Sequence, residues 1–333
     1  MTSKKLVRVE NLKKYFPVER GFLAKIFSKK MDFVHAVDGI SFEIKEGETF
    51  GLVGESGCGK STTGRLILRL IEPTEGNVYY ENQNLSILGK KGIKEIRRKM
   101  SMVFQNPYAS LNPRMTISET INDPLKLQSS MSTKEQKEIV IELLENVGLR
   151  PPSYFLDRYP HELSGGERQR VVFARAIVLK PKFIVADEPV ASLDASFRSQ
   201  ILNLMCSLKD SLELTYLLIA HNIAVVKYMS DQIAVMYLGK IVEQARTEDL
   251  FKSPEHPYTK ALISAFLILD GISEQEKQNR VILKGEISSP INLPSGCRFH
   301  PRCPFCLPKC KKEEPKLIEI EPGHSVACWR VIH

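Results

Sequence analysis

Apolar positions along the chain follow three spacings, and each spacing predicts a different kind of element. Leu6 to Glu10 (LVRVE) and Ala36 to Ile44 (AVDGISFEI) alternate apolar with polar, as strands with one wet face do. Glu48 to Val53 (ETFGLV), Asn77 to Tyr80 and Met100 to Phe104 (MSMVF) predict further strands. Phe183 to Ala186 (FIVA) and Tyr216 to Ala220 (YLLIA) are continuously apolar, which predicts strands buried on both faces of a parallel sheet. Between Thr116 and Leu149 the period becomes helical: Ser132-Thr133-Lys134-Glu135 is a capping box, and Ile139, Leu143, Leu144 and Val147 form one stripe behind it. Ile233 to Val242 predicts a hairpin and Thr247 to Phe266 a closing helical segment. Glu19 to His35 reads as an amphipathic insertion, and residues 270–290 as a polar linker. Strands interleaved with helices predict an α/β fold with an antiparallel β edge and a helical insert at about 116–180.

The chemistry lies where these elements meet. Between the strand ETFGLV and a helical run (STTGRLILRLI) stands Gly54-Glu55-Ser56-Gly57-Cys58-Gly59-Lys60-Ser61, which fills every place of the phosphate-loop pattern G-x-x-x-x-G-K-[ST]. Its glycines let successive N–H groups face one anion, Lys60 adds a compact positive charge for the outer phosphates, and Ser61 is left to hold Mg²⁺. That positive field predicts a lowered pKa for the Cys58 thiol. Leu163-Ser164-Gly165-Gly166-Glu167 runs into a second helical stretch (VVFARAIVL), with Ser164 as cap and two glycines that admit a phosphate to the free N–H groups. The buried run FIVA ends in Asp187-Glu188, at the edge where α/β sheets bind ligands. Asp187 is placed for a Mg²⁺ shell and Glu188 to polarise a water for attack on the γ-phosphate. YLLIA ends on His221, a γ-phosphate sensor in this setting, and Gln105 follows MSMVF, where an amide can reach metal and water or, as its position alone favours, be an ordinary loop glutamine. Tyr15 and Phe16 are adjacent aromatics suited to stacking on a base or to core packing.

Composition narrows the classes. A chain of 333 residues, 43% hydrophobic and 26% charged, has ordinary globular make-up and room for two domains. The formal charge of +8 is spread out, with no dense basic run interleaved with aromatics, so an anionic ligand or a membrane surface is expected and nucleic acid is not. No apolar run reaches the roughly 18 residues of a membrane span, and MTSKKLVRVE lacks a signal-peptide core, so a cytoplasmic protein is expected. Cys58 and Cys206 stand alone, whereas Cys297, Cys303, Cys306, Cys310 and Cys328 crowd the tail among Pro294, Pro301, Pro304, Pro308 and Pro315. In a reducing compartment such crowding points to metal, and four thiolates suit structural zinc as well as an iron–sulfur cluster.

Taken together, the phosphate loop, Gln105, LSGGE at 163–167, Asp187-Glu188, Ser192-Leu193-Asp194 and His221 resemble, in order and spacing, the motif set of ABC transporter ATPases over about residues 5–255. The resemblance implies a P-loop ABC-type nucleotide-binding domain at 5–255 and a C-terminal extension at 256–333, Cys-rich at about 294–330. It implies ATP and Mg²⁺ as cofactors. Phe16, with Tyr15 in reserve, would stack on adenine; Gly54, Glu55, Ser56, Gly57, Cys58, Gly59, Lys60, Ser61 and Thr62 would hold the phosphates; Ser61, Gln105 and Asp187 would complete the Mg²⁺ shell. Glu188 would be the general base and His221 the γ-phosphate switch, while Leu163, Ser164, Gly165, Gly166, Glu167 and Asp194 would complete the site of a partner subunit.

More narrowly, GLVGESGCGKSTTGRL, FQNPYASLNPR, RYPHELSGGERQR and GCRFHPRCP are similar to the second of the paired ATPases of oligopeptide and dipeptide permeases. That implies ATP-driven peptide import at the cytoplasmic face of the cell membrane, with a homologous ATPase as heterodimer partner, two membrane permease subunits and an extracytoplasmic solute-binding protein. Nickel and glutathione importers use close relatives, and a soluble ABC-type ATPase of DNA repair or translation is the rival class. In the family, C-x5-C-x6-C-x17-C falls on Cys297, Cys303, Cys310 and Cys328 and implies a [4Fe-4S] cluster, with zinc as the alternative and Cys306 extra. Three positions depart from the family: Glu167 for Gln, Ala191-Ser192 for Ser-Ala, and Asn222 for Asp after His221. None removes a catalytic group.

Overall fold

The alternating and the continuously apolar stretches all become strands in the computed structural model, which describes residues 4–18, 32–128, 131–191, 193–269, 285–286 and 288–332. Most of the Glu19–His35 insertion, Ser192 and most of the 270–290 linker lie outside the described residues. In chain order the strands are β1 (Lys5–Pro17), β2 (Phe33–Lys45), β3 (Thr49–Val53), β4 (Glu75–Tyr80), β5 (Gln83–Asn84), β6 (Met100–Val103), β7 (Phe183–Asp187), β8 (Thr215–Ala220), β9 (Gln232–Tyr237), β10 (Lys240–Arg246), β11 (Ile318–Glu321) and β12 (His324–Val326). The main helices are α1 (Lys60–Ile67), α2 (Lys90–Lys99), α3 (Ile117–Gln128), α4 (Thr133–Asn146), α5 (Gly165–Ile177), α6 (Ala195–Leu212), α7 (Ile223–Met229), α8 (Thr247–Lys252) and α9 (Pro257–Leu269). They fall into two compact units, one of residues 45–49 and 87–219, the other of residues 4–44, 50–86 and 220–333.

The first unit is built on β6, β7 and β8, which run parallel with β7 in the middle, Val103 opposite Ala186 and Asp187 opposite Ile219. Every residue of β7 is buried, which is why its sequence shows no alternation. Helices α3, α4 and α5 form the insert. At α4 the Ser132 hydroxyl accepts the Glu135 N–H and the Glu135 carboxylate accepts the Ser132 N–H, the reciprocal box that the sequence predicts. The apolar stripe of α4 is turned slightly from the expected one: Val140, Leu143, Leu144 and Val147 are buried, and Ile139 is only half-buried.

The second unit carries an antiparallel sheet in the order β2-β1-β4-β5. In it Val7 faces Tyr80 and Val9 faces Val78, and the pairing shifts between Glu10 and Lys13, where Asn11 takes φ 45°. The expected short strand LVRVE therefore continues through a bulge as far as Pro17. Its other strands pair as β3 parallel to β9, β9 antiparallel to β10 across the two-residue turn Leu238-Gly239, and β10 to β12 to β11. The tail is thus stitched by strands onto β10.

The helix after the phosphate loop is shorter than its sequence suggests. Apolar residues continue to Ile71, yet α1 stops at Ile67 because Arg69 turns left-handed (φ 48°), with Arg69 N–H bonding Leu66 C=O at 2.9 Å and Leu70 N–H bonding Arg65 C=O at 2.8 Å. This is a Schellman end with arginine in the place glycine usually takes. The same left-handed posture ends α6 at exposed Glu213 (φ 51°, ψ 41°). A side chain there crowds its own carbonyl and glycine does not. Glu213→Gly is therefore expected to raise the stability of the fold by roughly 0.5–1 kcal/mol, read as a higher urea midpoint with an unchanged slope.

Candidate functional site

The phosphate loop links β3 to α1, and two of its glycines have no room for a side chain. A Cβ on Gly54 (φ 154°) would stand 2.1 Å from the Met236 carbonyl oxygen, and one on Gly59 (φ 109°) 2.0 Å from that of Ala36. Neighbouring strands thus press the loop into one shape. Within it the Lys60 side chain, only 5% exposed, places Nζ at 2.8 Å from the Gly54 carbonyl and 2.9 Å from that of Glu55. A buried ammonium needs acceptors, and the loop's own carbonyls supply them in this state. A tight glycine cradle holding a buried lysine at a helix N-terminus fits the phosphates of a nucleotide.

The loop is also gripped from outside the pattern. Glu55 N–H donates to the Tyr258 hydroxyl at 2.9 Å, and the Glu55 carboxylate takes a two-pronged bond from Arg302, at 2.7 and 3.0 Å. Gly239 N–H donates to the Cys58 carbonyl at 2.9 Å. None of these partners belongs to a nucleotide-site motif. The signal in the sequence for Arg302 is the run GCRFHPRCP, which carries the family resemblance but does not show a contact with the phosphate loop.

Cys58 corrects an expectation. Its side chain is 4% exposed, and burial pushes the thiol up more than the nearby Lys60 ammonium lowers it. It is a packed thiol in the loop wall.

Of the two aromatics on β1, Tyr15 is committed: its hydroxyl donates to Asp38 and its ring meets the His35 ring at 4.3 Å. Asp38 in turn pairs with Arg298. Burial alone would raise the Asp38 carboxyl, but the Tyr15 hydrogen bond and the Arg298 and Lys240 charges together hold it below its ordinary value. Phe16, on the opposite face of the strand, is 36% exposed.

In the other unit, β7 ends with Asp187 2% exposed and Glu188 half-buried in a left-handed backbone (φ 48°), its N–H donating to the Ile219 carbonyl at 2.8 Å. A non-glycine residue in that conformation is strained, and such strain persists where the surroundings over-determine it. Gln105 Nε2 donates to Glu188 Oε2 at 2.8 Å, which joins two residues that the sequence had assigned separately. His221, directly after β8, is exposed.

LSGGE takes the predicted form. Ser164 Oγ accepts the Glu167 N–H at 3.3 Å and Glu167 Oε2 accepts the Ser164 N–H at 2.8 Å. The departure at Glu167 is thereby explained, since Glu and Gln both close a capping box. The departure at Asn222 is explained likewise: its side chain accepts the Ala224 N–H at 2.9 Å and caps α7, as Asp would. Leu163 is buried, Gly165 and Gly166 open α5, and Phe197 sits so near Gly166 that a Cβ there would meet its ring at 2.7 Å. Asp194 precedes α6 without capping it through its side chain.

In the tail, Cys310 and Cys328 are buried and Cys297, Cys303 and Cys306 are half-buried, all as free thiols. Burial, with the neighbouring thiols adding to it, pushes Cys297 up to about 12. Among the described residues no group of three or more His, Cys, Asp or Glu side chains is arranged to hold a metal ion. The expected [4Fe-4S] or zinc site at Cys297, Cys303, Cys310 and Cys328 therefore gains no support from the arrangement. Protein contacts also order the tail: β12 pairs with β10, β11 pairs with β12, and Phe299 is buried against Tyr237 and Tyr258.

Residues 37–191 match the family described as ABC transporter, and residues 242–310 the family described as oligopeptide/dipeptide transporter, C-terminal region. The chain is 47% identical over 324 residues to the oligopeptide transport ATP-binding protein AppF of Bacillus subtilis, covering 97% of this chain and 96% of that one. It is 46% identical over 327 residues to the dipeptide transport ATP-binding protein DppF of Haemophilus influenzae, covering 98% and 97%. Among solved structures it is similar to the dimeric ATP-binding cassette MJ0796 in a post-hydrolysis state with ADP and Pi, at 30% identity and TM-score 0.63, over 73% of this chain and 99% of that one.

The burial of Cys58 sets an expected outcome. Brief maleimide treatment of the native protein, mapped by mass spectrometry, should leave Cys58 unlabelled until denaturant is added, while the half-buried Cys306 labels first.

Proposed function

Since the chain belongs to the ABC transporter ATPases, in the branch that carries the oligopeptide/dipeptide transporter C-terminal region, we propose that it is the ATP-hydrolysing subunit of a peptide importer. The observation that carries the reading is the glycine cradle around buried Lys60, joined in one chain to a strained acid after a buried strand.

The roles follow from the chemistry of each group. Lys60, Ser61 and Thr62, with the N–H groups of Gly54 to Gly59, hold the phosphates; Phe16 is the exposed aromatic for adenine, because Tyr15 is already engaged. Ser61, Gln105 and Asp187 are the proposed magnesium ligands, and bound Mg²⁺ supplies charge neutralisation at the outer phosphates. Glu188 accepts a proton from the attacking water, Gln105 holds that carboxylate in place, and His221 senses the γ-phosphate. Leu163 to Glu167 and Asp194 serve the nucleotide of a homologous partner ATPase. The cassette is taken as residues 5–255 and the extension as 256–333.

No helix among the described residues is long and apolar enough to cross a membrane, so attachment at the cytoplasmic face is assigned to two permease subunits, with an extracytoplasmic binding protein delivering the peptide. A tail metal at Cys297, Cys303, Cys310 and Cys328 is proposed on donor chemistry alone. Burial pushes the Cys297, Cys303 and Cys328 thiols up, so a metal held there would have to displace their protons.

Glu188→Gln in the assembled transporter should retain ATP binding and lose hydrolysis by about 10²-fold or more, as loss of a general base does; near-normal turnover would remove Glu188 from that role. Elemental analysis of anaerobically purified protein decides the tail: iron with absorption near roughly 400 nm, bleached by dithionite, supports the cluster, zinc alone supports a structural thiolate site, and neither metal ends the proposal.

A further inference from the structure

A carboxylate is an awkward neighbour for a triphosphate, and Glu55 is the residue directly after the first glycine of the phosphate loop. Two like charges at close range in a partly dry site repel strongly unless a cation intervenes. Here the cation comes from a segment 247 positions further along: Arg302, with 8% of its side chain exposed, grips both Glu55 oxygens, and the Glu55 side chain is itself only 25% exposed. The backbone that carries the guanidinium is held in turn. Arg302 N–H bonds the Phe299 carbonyl at 3.0 Å, Phe299 is buried against the rings of Tyr237, Tyr258 and His256, and Tyr258 reaches back to the Glu55 N–H. Arg302 and the Tyr258 hydroxyl therefore fix both the side chain and the backbone of one loop residue.

We propose that Arg302 is a positioning residue for nucleotide: it neutralises Glu55 and draws the carboxylate aside, so that the C-terminal segment sets the affinity of the phosphate loop for ATP. The inference rests on the reading of this loop as an ATP site and adds a regulator to it. Lys60 alone is a poor substitute, because its ammonium already serves the Gly54 and Glu55 carbonyls and stands 3.7 Å from the Cys58 sulfur. The geometry of a planar fork on a carboxylate is specific to arginine, so lysine at 302 would restore charge without the two-pronged bond.

The test is a double-mutant cycle on the full chain, read as Kd for a fluorescent ATP analogue with magnesium. Arg302→Met should weaken binding by about tenfold, within the coupling range of directly bonded charges, and Arg302→Lys by less. In the Glu55→Gln background, where no carboxylate is left to neutralise, Arg302→Met should change Kd by less than about twofold. The loss in the single variant should also shrink as salt is raised, since it arises from unscreened repulsion. An equal loss in both backgrounds would show that Arg302 only props up the fold, and an unchanged Kd in the first would leave the clamp without a role in binding; either overturns the inference. Failure of the unaltered chain to bind the analogue at all would instead overturn the ATP reading beneath it.

Discussion

A buried ammonium is the constraint from which the nucleotide-binding unit takes its form. Lys60 must have oxygen acceptors within reach, and in this state it finds them in the carbonyls of the loop that precedes it. That arrangement closes the loop on itself, and the closed loop has space only because Gly54 and Gly59 lack side chains against Met236 and Ala36. In the proposed role an incoming phosphate would replace neutral carbonyl dipoles with full negative charge around the same ammonium. The loop would then be kept in shape by a weaker version of the interaction proposed for it.

A second buried charge fastens the C-terminal segment. Glu243, on β10 and entirely enclosed, accepts the N–H groups of Glu255 at 2.7 Å and His256 at 2.9 Å and meets His324 Nε2 at 2.8 Å. A solitary carboxylate in that position would be costly, and it is tolerated because three donors from two directions surround it. Helix α9, whose Tyr258 touches the phosphate loop, is thus anchored at its start by the same residue that receives β12. The segment matched to the transporter C-terminal region is part of the scaffold of the loop.

Most of the fold was legible because its signals are local. The continuous apolar runs of β7 and β8, the boxes at Ser132 and Ser164 and the glycine pattern at 54–59 each depend on residues a few positions apart. What escaped depends on partners far off in the chain or on backbone angles without a residue signature. Arg69 ends α1 in a posture that sequence reading reserves for glycine, and Glu188 holds one that its neighbours impose. Cys58 was judged by the charges beside it, while its burial, which comes from the fold around it, outweighs them. As adjacent aromatics Tyr15 and Phe16 are interchangeable, the family resemblance prefers Phe16, and the physical reason is visible only in the fold, where Asp38 and His35 engage Tyr15.

The arginines of the C-terminal segment also order events in time. Asp38 waits 260 positions for Arg298, and Glu55 waits 247 for Arg302. At about 5–20 residues per second, a ribosome takes roughly 13–50 s to cover such a distance. Throughout that interval the loop and the first sheet exist without the cations that complete them, whereas residues 87–219 of the other unit are contiguous and can condense as they emerge. Newly synthesised chains therefore carry Asp38 and Glu55 without their arginine partners, beside unfinished strand edges, for tens of seconds.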